Sequence, residues 1–268
     1  MEGLLRAYFT NENTAYDASC PGLALEKDSA LTAFCEAMTR EDEEPLLPTQ
    51  IYVGMWRGAH IKLLAHILAA WKSTAQHPLL QIQAMNMEGV TEDTASFDRV
   101  MAVPFHAVDR VEDIPSLDAF LHVIGGARGL LTLLGIRCTV GSQVVCPPTR
   151  AQCMDAFNRK HAAESSSSIL TIGARQWTKH VQRCLNGWWG QNKGSEAAKN
   201  AIAAAKIAEL LDATVWMNVH GLPNGPVVFE IRQAEGYGAR WGFQGNEVHF
   251  RGFVEPYMEN GHELSWRH

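Results

Sequence analysis

With 268 residues, 46% of them hydrophobic and 19% charged, the chain can bury a large core without disulfide or metal staples, as one domain or two. Its net charge of −6 argues against broad, charge-driven nucleic-acid binding, which needs a basic footprint. No run of about 20 apolar residues spans a membrane, and the opening MEGLLRAYF lacks the pattern of a secretory signal, so a cytoplasmic or nuclear setting is expected.

In chain order, DSALTAFCEAMTRE places Leu31, Phe34, Cys35 and Met38 at i, i+3, i+4 and i+7, the stripe of an amphipathic helix capped by Asp28 or Ser29. The acidic run REDEEP at 40–45 reads as a solvated loop. From Ile61 to Trp71 apolar residues cover almost the whole circumference, as in a helix buried on most sides. Residues 79–87 and 100–108 alternate as strands do. Residues 115–135 read as one helix interrupted by Gly125-Gly126, and 136–146 as a hairpin turning at Gly141. Thr149 and Gln152 form a capping box for the next helix. The chain is read as a single domain, 1–268, whose one candidate subdivision is the serine run near 164–168.

After that run, LTIGARQWTKHVQRCLNGWWG is helical in its middle. GSEAAKNAIAAAKIAELLDA forms a helix capped by Ser195, with Ala203, Ile207, Leu210 and Leu211 on one face. Three strands follow, PVVFEIR, GARWGF and EVHFRGFVEP, joined by short links as in an antiparallel meander. Helices and strands do not alternate regularly, so the fold class is α+β, with helical N-terminal and middle parts packed on an antiparallel sheet that includes this meander.

A period of two divides the meander. Phe229, Ile231, Ala239, Trp241, Phe243, Val248, Phe250 and Val254 fall on one face. Glu230, Arg232, Arg240, Glu247, His249 and Arg251 fall on the other. A face of this kind is commonly solvated, with cross-strand ion pairs each worth well under about 1 kcal/mol. It also suits an anion site, because three neighbouring arginines repel unless negative charge sits between them. On that reading Arg232, Arg240 and Arg251 hold a small phosphate- or carboxylate-bearing ligand, with Arg57 contributing from the start of the buried helix. Glu230 or Glu255 orients the arginines, and His249 or His262 carries a proton if the site is catalytic. Enzyme and non-catalytic binder are both open.

The rival is a non-catalytic interaction protein. Trp177, Trp188 and Trp189 beside Lys179, His180 and Arg183 are residue types that dock a protein or stack bases of single-stranded nucleic acid. The six cysteines, Cys20, Cys35, Cys138, Cys146, Cys153 and Cys184, match no zinc spacing, and no motif names a metal or a cofactor.

The blocks LLPTQIYVGMWRGAHIKLLAHILAAW, GSEAAKN…WMNVH, GYGARW and FRGFVEPYMENGHELSWRH resemble a family of uncharacterised plant and algal proteins over most of the chain. The resemblance implies a eukaryotic protein and brings no activity, cofactor or site residue with it.

Overall fold

The computed structural model describes residues 1–10, 23, 25, 29–41, 50–82, 90–161, 167–183, 187–223, 225–245 and 247–256. The chain groups into two compact units. The first comprises Met1–Tyr52, Trp56–Ala84 and Val90–Thr149; the second comprises Arg150–His268 together with Val53–Met55 and Met85–Gly89.

The described part of unit 1 is helical: α1 (Glu2–Thr10), α2 (Ser29–Thr39), α3 (His60–Thr74), α4 (Ala95–Met101), α5 (Phe105–Asp109), α6 (Ile114–Ile124) and α7 (Gly126–Leu133). Helix α3 has the all-round apolar surface expected of it, and Ile61, Leu64, Leu68 and Trp71 are essentially inaccessible. The α2 stripe buries Phe34, Cys35 and Met38.

Four local expectations need correction here. Residues 100–108 are the end of α4 and most of α5, separated at Pro104, which precedes α5 in extended conformation. Val100 of α4, Val108 of α5 and Val103 in the link between them are buried, so the alternation reflects burial and not a strand. Pro78–Gln81 form a 3-10 turn, and the remainder of the expected 79–87 strand from residue 83 on lies outside the described residues. The 115–135 helix is two, because Gly125 turns left-handed (φ 95°) and Arg99 caps the carbonyls before it, donating to Val123 O at 3.0 Å and His122 O at 2.8 Å. Gly141 does mark a turn, closed by Ser142 N to Thr139 O at 3.0 Å, but 136–146 forms no strand pair with itself; Thr139 bridges to Glu92 instead.

Unit 2 holds α8 (Arg150–Asn158), α9 (Ile172–Arg183), α10 (Glu196–Asp212) and the strands β1 (Thr214–Gly221), β2 (Val227–Gln233), β3 (Gly238–Gln244) and β4 (Glu247–Val254). The expected α+β class holds, and the sheet is a four-stranded antiparallel meander in the order β1-β2-β3-β4. Ser195 caps α10 by accepting from Ala198 N, and its stripe of Ala203, Ile207, Leu210 and Leu211 is buried. Phe229, Ile231, Trp241 and Phe250 are buried on the apolar face. There Phe157 of α8 meets Phe250 and Phe253 edge-on, and Trp241 Nε1 donates to Cys153 O at 3.0 Å.

One strand breaks the simple period. Trp241 pairs with Phe250 and Arg240 with Gly252, which leaves Arg251 as an extra bulged residue. Beyond it the parity reverses. Phe253 therefore joins the aromatic cluster, and Val254, expected on the apolar face, lies opposite Gly238 on the polar one.

Gly238 stands opposite Arg232, and a Cβ there would sit 2.0 Å from Ile231 O and 2.7 Å from Arg232 Cδ. Gly238→Ala is expected to lower stability by about 2–3 kcal/mol in denaturant unfolding, from overpacking. Gly3→Ala, where a Cβ meets nothing within 4 Å, serves as the control. Equal midpoints for the two variants would contradict the register.

Candidate functional site

The polar face is ordered in rows that run across the four strands. His220, Val228, Gly242 and His249 pair in one row; Asn218, Glu230, Arg240 and Gly252 in the next; Trp216, Arg232, Gly238 and Val254 in the third. Each row contains one glycine, over which a long side chain can lie flat. Gly242 allows this for Arg251, whose Cδ comes within 2.9 Å of where a Gly242 Cβ would be.

Glu230 is the centre of the face. Its carboxylate accepts from Arg232 Nε at 2.6 Å, from Arg240 Nε and from His220 Nε2 at 3.2 Å, so three strands converge on one side chain. The Glu230 side chain is 3% exposed. Burial pushes its carboxyl up. The His220 hydrogen bond and the charges of Arg232 and Arg240 together outweigh burial and hold it at about 2. Burial also pulls the Arg232 guanidinium below its ordinary value, against the charge of Glu230. Arg232 is fixed further by donating to Gly236 O at 2.6 Å and Glu255 O at 2.8 Å.

The expected site residues therefore separate. Glu230, Arg232 and Arg240 are brought together. Glu230 holds Arg232 and Arg240 as expected, and it is also the counter-ion that the two arginines require. Arg251 lies on the same face at the bulge and is exposed. His249 stands in the first row, its side chain half-exposed but its Nε2 buried, 3.5 Å from Glu247 Oε2 and holding no hydrogen bond. The Glu255 carboxylate belongs to a second buried cluster, accepting from His180 Nδ1 and Trp189 Nε1, each at 2.7 Å. His262 lies outside the described residues, and Arg57 is an exposed residue of unit 1.

The sequence reading passed over His220 because it passed over β1. The signal was present: in TVWMNVHG, Trp216, Asn218 and His220 alternate with Val215, Met217 and Val219. His220 Nδ1 also lies 3.3 Å from Gly221 O. The aromatic-basic stretch 176–190 is mostly internal. Trp177 is buried and donates to Trp189 O at 2.9 Å. Trp188 is stacked on Tyr237 at 3.9 Å, and Lys206 lies 4.1 Å over its ring, so neither tryptophan is a ready platform for a base.

The model of one family, the CdiA C-terminal tRNase toxin domain, matches residues 159–255. The matched segment is well under half of the chain and falls wholly within unit 2. It takes in α9, α10, all four strands and both carboxylate clusters. No curated protein and no solved structure matches the chain. The match overturns the small-anion reading in favour of a nucleic-acid partner, the part of the rival reading that it supports, and its bacterial family conflicts with a eukaryotic setting. The charge follows the same division. Residues 159–255 hold 11 Lys and Arg against 8 Asp and Glu, a net +3 within a chain of net −6. Whole-chain charge had hidden this. Among the described residues no helix is long and apolar enough to cross a membrane.

Glu230 has a folded pKa depressed to about 2 from an ordinary 4.5. Its stabilising contribution is therefore full above about pH 4.5 and is lost as pH falls toward 2, by on the order of 3 kcal/mol. Glu230→Gln is expected to be destabilised at pH 7 by about 3–5 kcal/mol and to lose that part of the acid dependence, measured by urea unfolding across the window. A variant as stable as the parent at pH 7 would contradict the placement of the carboxylate between the two arginines.

Proposed function

We propose that unit 2 is a ribonuclease domain acting on tRNA and that the polar face of its sheet is the working surface. The observation that carries this reading is the family match over 159–255, whose limits enclose the whole sheet and its charged face. The segment's positive balance within an acidic chain supports it further, since a cationic surface attracts a phosphate backbone.

Phosphodiester cleavage needs a group that moves a proton and positive charge where charge develops on the phosphate oxygens. His249 is assigned the first: its ring is 39% exposed, and its Nε2, itself buried and without a hydrogen bond, faces the Glu247 carboxylate at 3.5 Å. Arg251, exposed and lying along Gly242 in the same row as His249, supplies charge to the phosphate. Arg240, less buried than Arg232, is shared between Glu230 and the surface. His220, whose ring nitrogens are directed to Glu230 and to Gly221 O, is a positioning residue that holds the carboxylate and hence the arginines.

The first row spans the sheet from His220 to His249, three inter-strand steps or roughly 14 Å between backbones. Between them lie only Val228 and Gly242. The Arg251 side chain lies across Gly242, so a phosphate approaching this row meets Arg251 directly, with Arg240 of the second row alongside. The choice of tRNA as the substrate follows the tRNase family that the segment matches.

Incubating the purified chain with total tRNA and resolving the products by denaturing electrophoresis is expected to show discrete fragments. His249→Ala should slow their appearance by about 100-fold or more while the thermal transition stays unchanged. Intact tRNA after prolonged incubation with the parent protein would overturn the proposal. Undiminished cleavage by His249→Ala would remove His249 from the mechanism.

A further inference from the structure

Outside the sheet face, unit 2 carries a second cationic cluster just ahead of α9. Residues 159–161 and 170–172 run side by side. Lys160 bridges Thr171, His161 N donates to Leu170 O at 2.9 Å, and Ile172 N donates to Arg159 O at 2.8 Å. This short pairing fixes Arg159, Lys160 and His161 beside the first turn of α9, which contributes Arg175. All four side chains are exposed. Arg175 donates to the imidazole of His161. Among the described residues neither group is paired with a carboxylate, so both can take a charge-assisted hydrogen bond to an external acceptor.

The cluster is joined to the sheet face. Arg159 reaches Glu247 Oε2 at 3.9 Å, the same oxygen that His249 approaches at 3.5 Å. Glu247 is 70% exposed, so this link runs over the open edge of β4. A path of basic groups therefore continues from His249 past Glu247 to Arg159, Lys160, His161 and Arg175.

We infer that Arg159, Lys160, His161 and Arg175 form a docking surface for the phosphate backbone of RNA, which holds the substrate beyond the bond presented to His249. The inference rests on the ribonuclease reading and extends it from the reacting phosphate to a remote segment of the same strand. Contacts of this kind set register and affinity without reading bases. They would let one domain grip a folded RNA at a point away from the cleavage position, so that binding energy from a distant segment helps to orient the reacting one. The salt-dependent part of the affinity is assigned mainly to this cluster, because Arg232 is buried and both Arg232 and Arg240 are already hydrogen-bonded to Glu230.

The test measures binding of fluorescently labelled tRNA to the full chain by anisotropy over a salt series, in a His249→Ala background that suppresses turnover. Lys160→Glu with Arg175→Glu is expected to weaken binding by roughly 10-fold or more and to reduce the slope of log affinity against log salt by about two. Both positions are exposed, and a thermal melt matching the background protein confirms that the fold is kept. Lys160→Gln with Arg175→Gln should show a smaller loss in the same direction. Unchanged affinity and slope in both double variants would overturn the docking surface and leave the ribonuclease reading intact. Failure of the background protein itself to bind tRNA would overturn both.

Discussion

The arrangement of unit 2 depends on one buried carboxylate. Glu230 lies at the middle of a four-stranded sheet, almost without solvent, and takes hydrogen bonds from Arg232 on its own strand, Arg240 on the next and His220 two residues beyond its β1 partner Asn218. A lone carboxylate there would be expelled or protonated, and two guanidinium groups at that distance would repel. Together they form one mutually paired group, a carboxylate between two guanidinium ions, that is stable only when β1, β2 and β3 are in register. A sheet pinned on its polar face by charge and on its apolar face by aromatic packing has little freedom to slip by a residue.

Two local devices make the pinning possible. Glycine at 238 leaves the space that Arg232 occupies, and glycine at 242 does the same for Arg251. The bulge at Arg251 lets β4 send Phe250 and Phe253 to one side while Arg251 remains on the other. The second carboxylate cluster, Glu255 with His180 and Trp189, fixes the end of β4 against α9 and returns a backbone carbonyl to Arg232. The two clusters are thus mechanically connected, and a change at His180 should be felt at Glu230.

Much of this order was legible in the residues alone. The alternation in residues 227–254 gave the three later strands and both faces, and the Ser195 cap and alanine run gave α10. Three things were not legible, each for a physical reason. The bulge adds one residue without any mark in the pattern except Gly252, so Val254 was assigned to the wrong face. The alternation of 100–108 came from helices buried on one side, because burial produces apolar spacing in either conformation. The internal pairing of the arginines depends on which cross-strand neighbour each one meets. Glu230 opposite Arg240 is a fact of register, and the same three arginines with the carboxylate displaced would have made the anion site that the composition suggested. Charge averaged over the chain concealed the basic segment, since the acidic excess lies mostly ahead of residue 150.

The central claim is that the charged face of the unit 2 sheet is where nucleic acid is engaged. Hydrogen exchange of the full chain, followed by mass spectrometry with and without tRNA, addresses it most directly. Slowed exchange in 238–252 on adding tRNA, with 95–149 unaffected, is the expected result. Slowing confined to residues of unit 1, with the sheet segment unchanged, would contradict it.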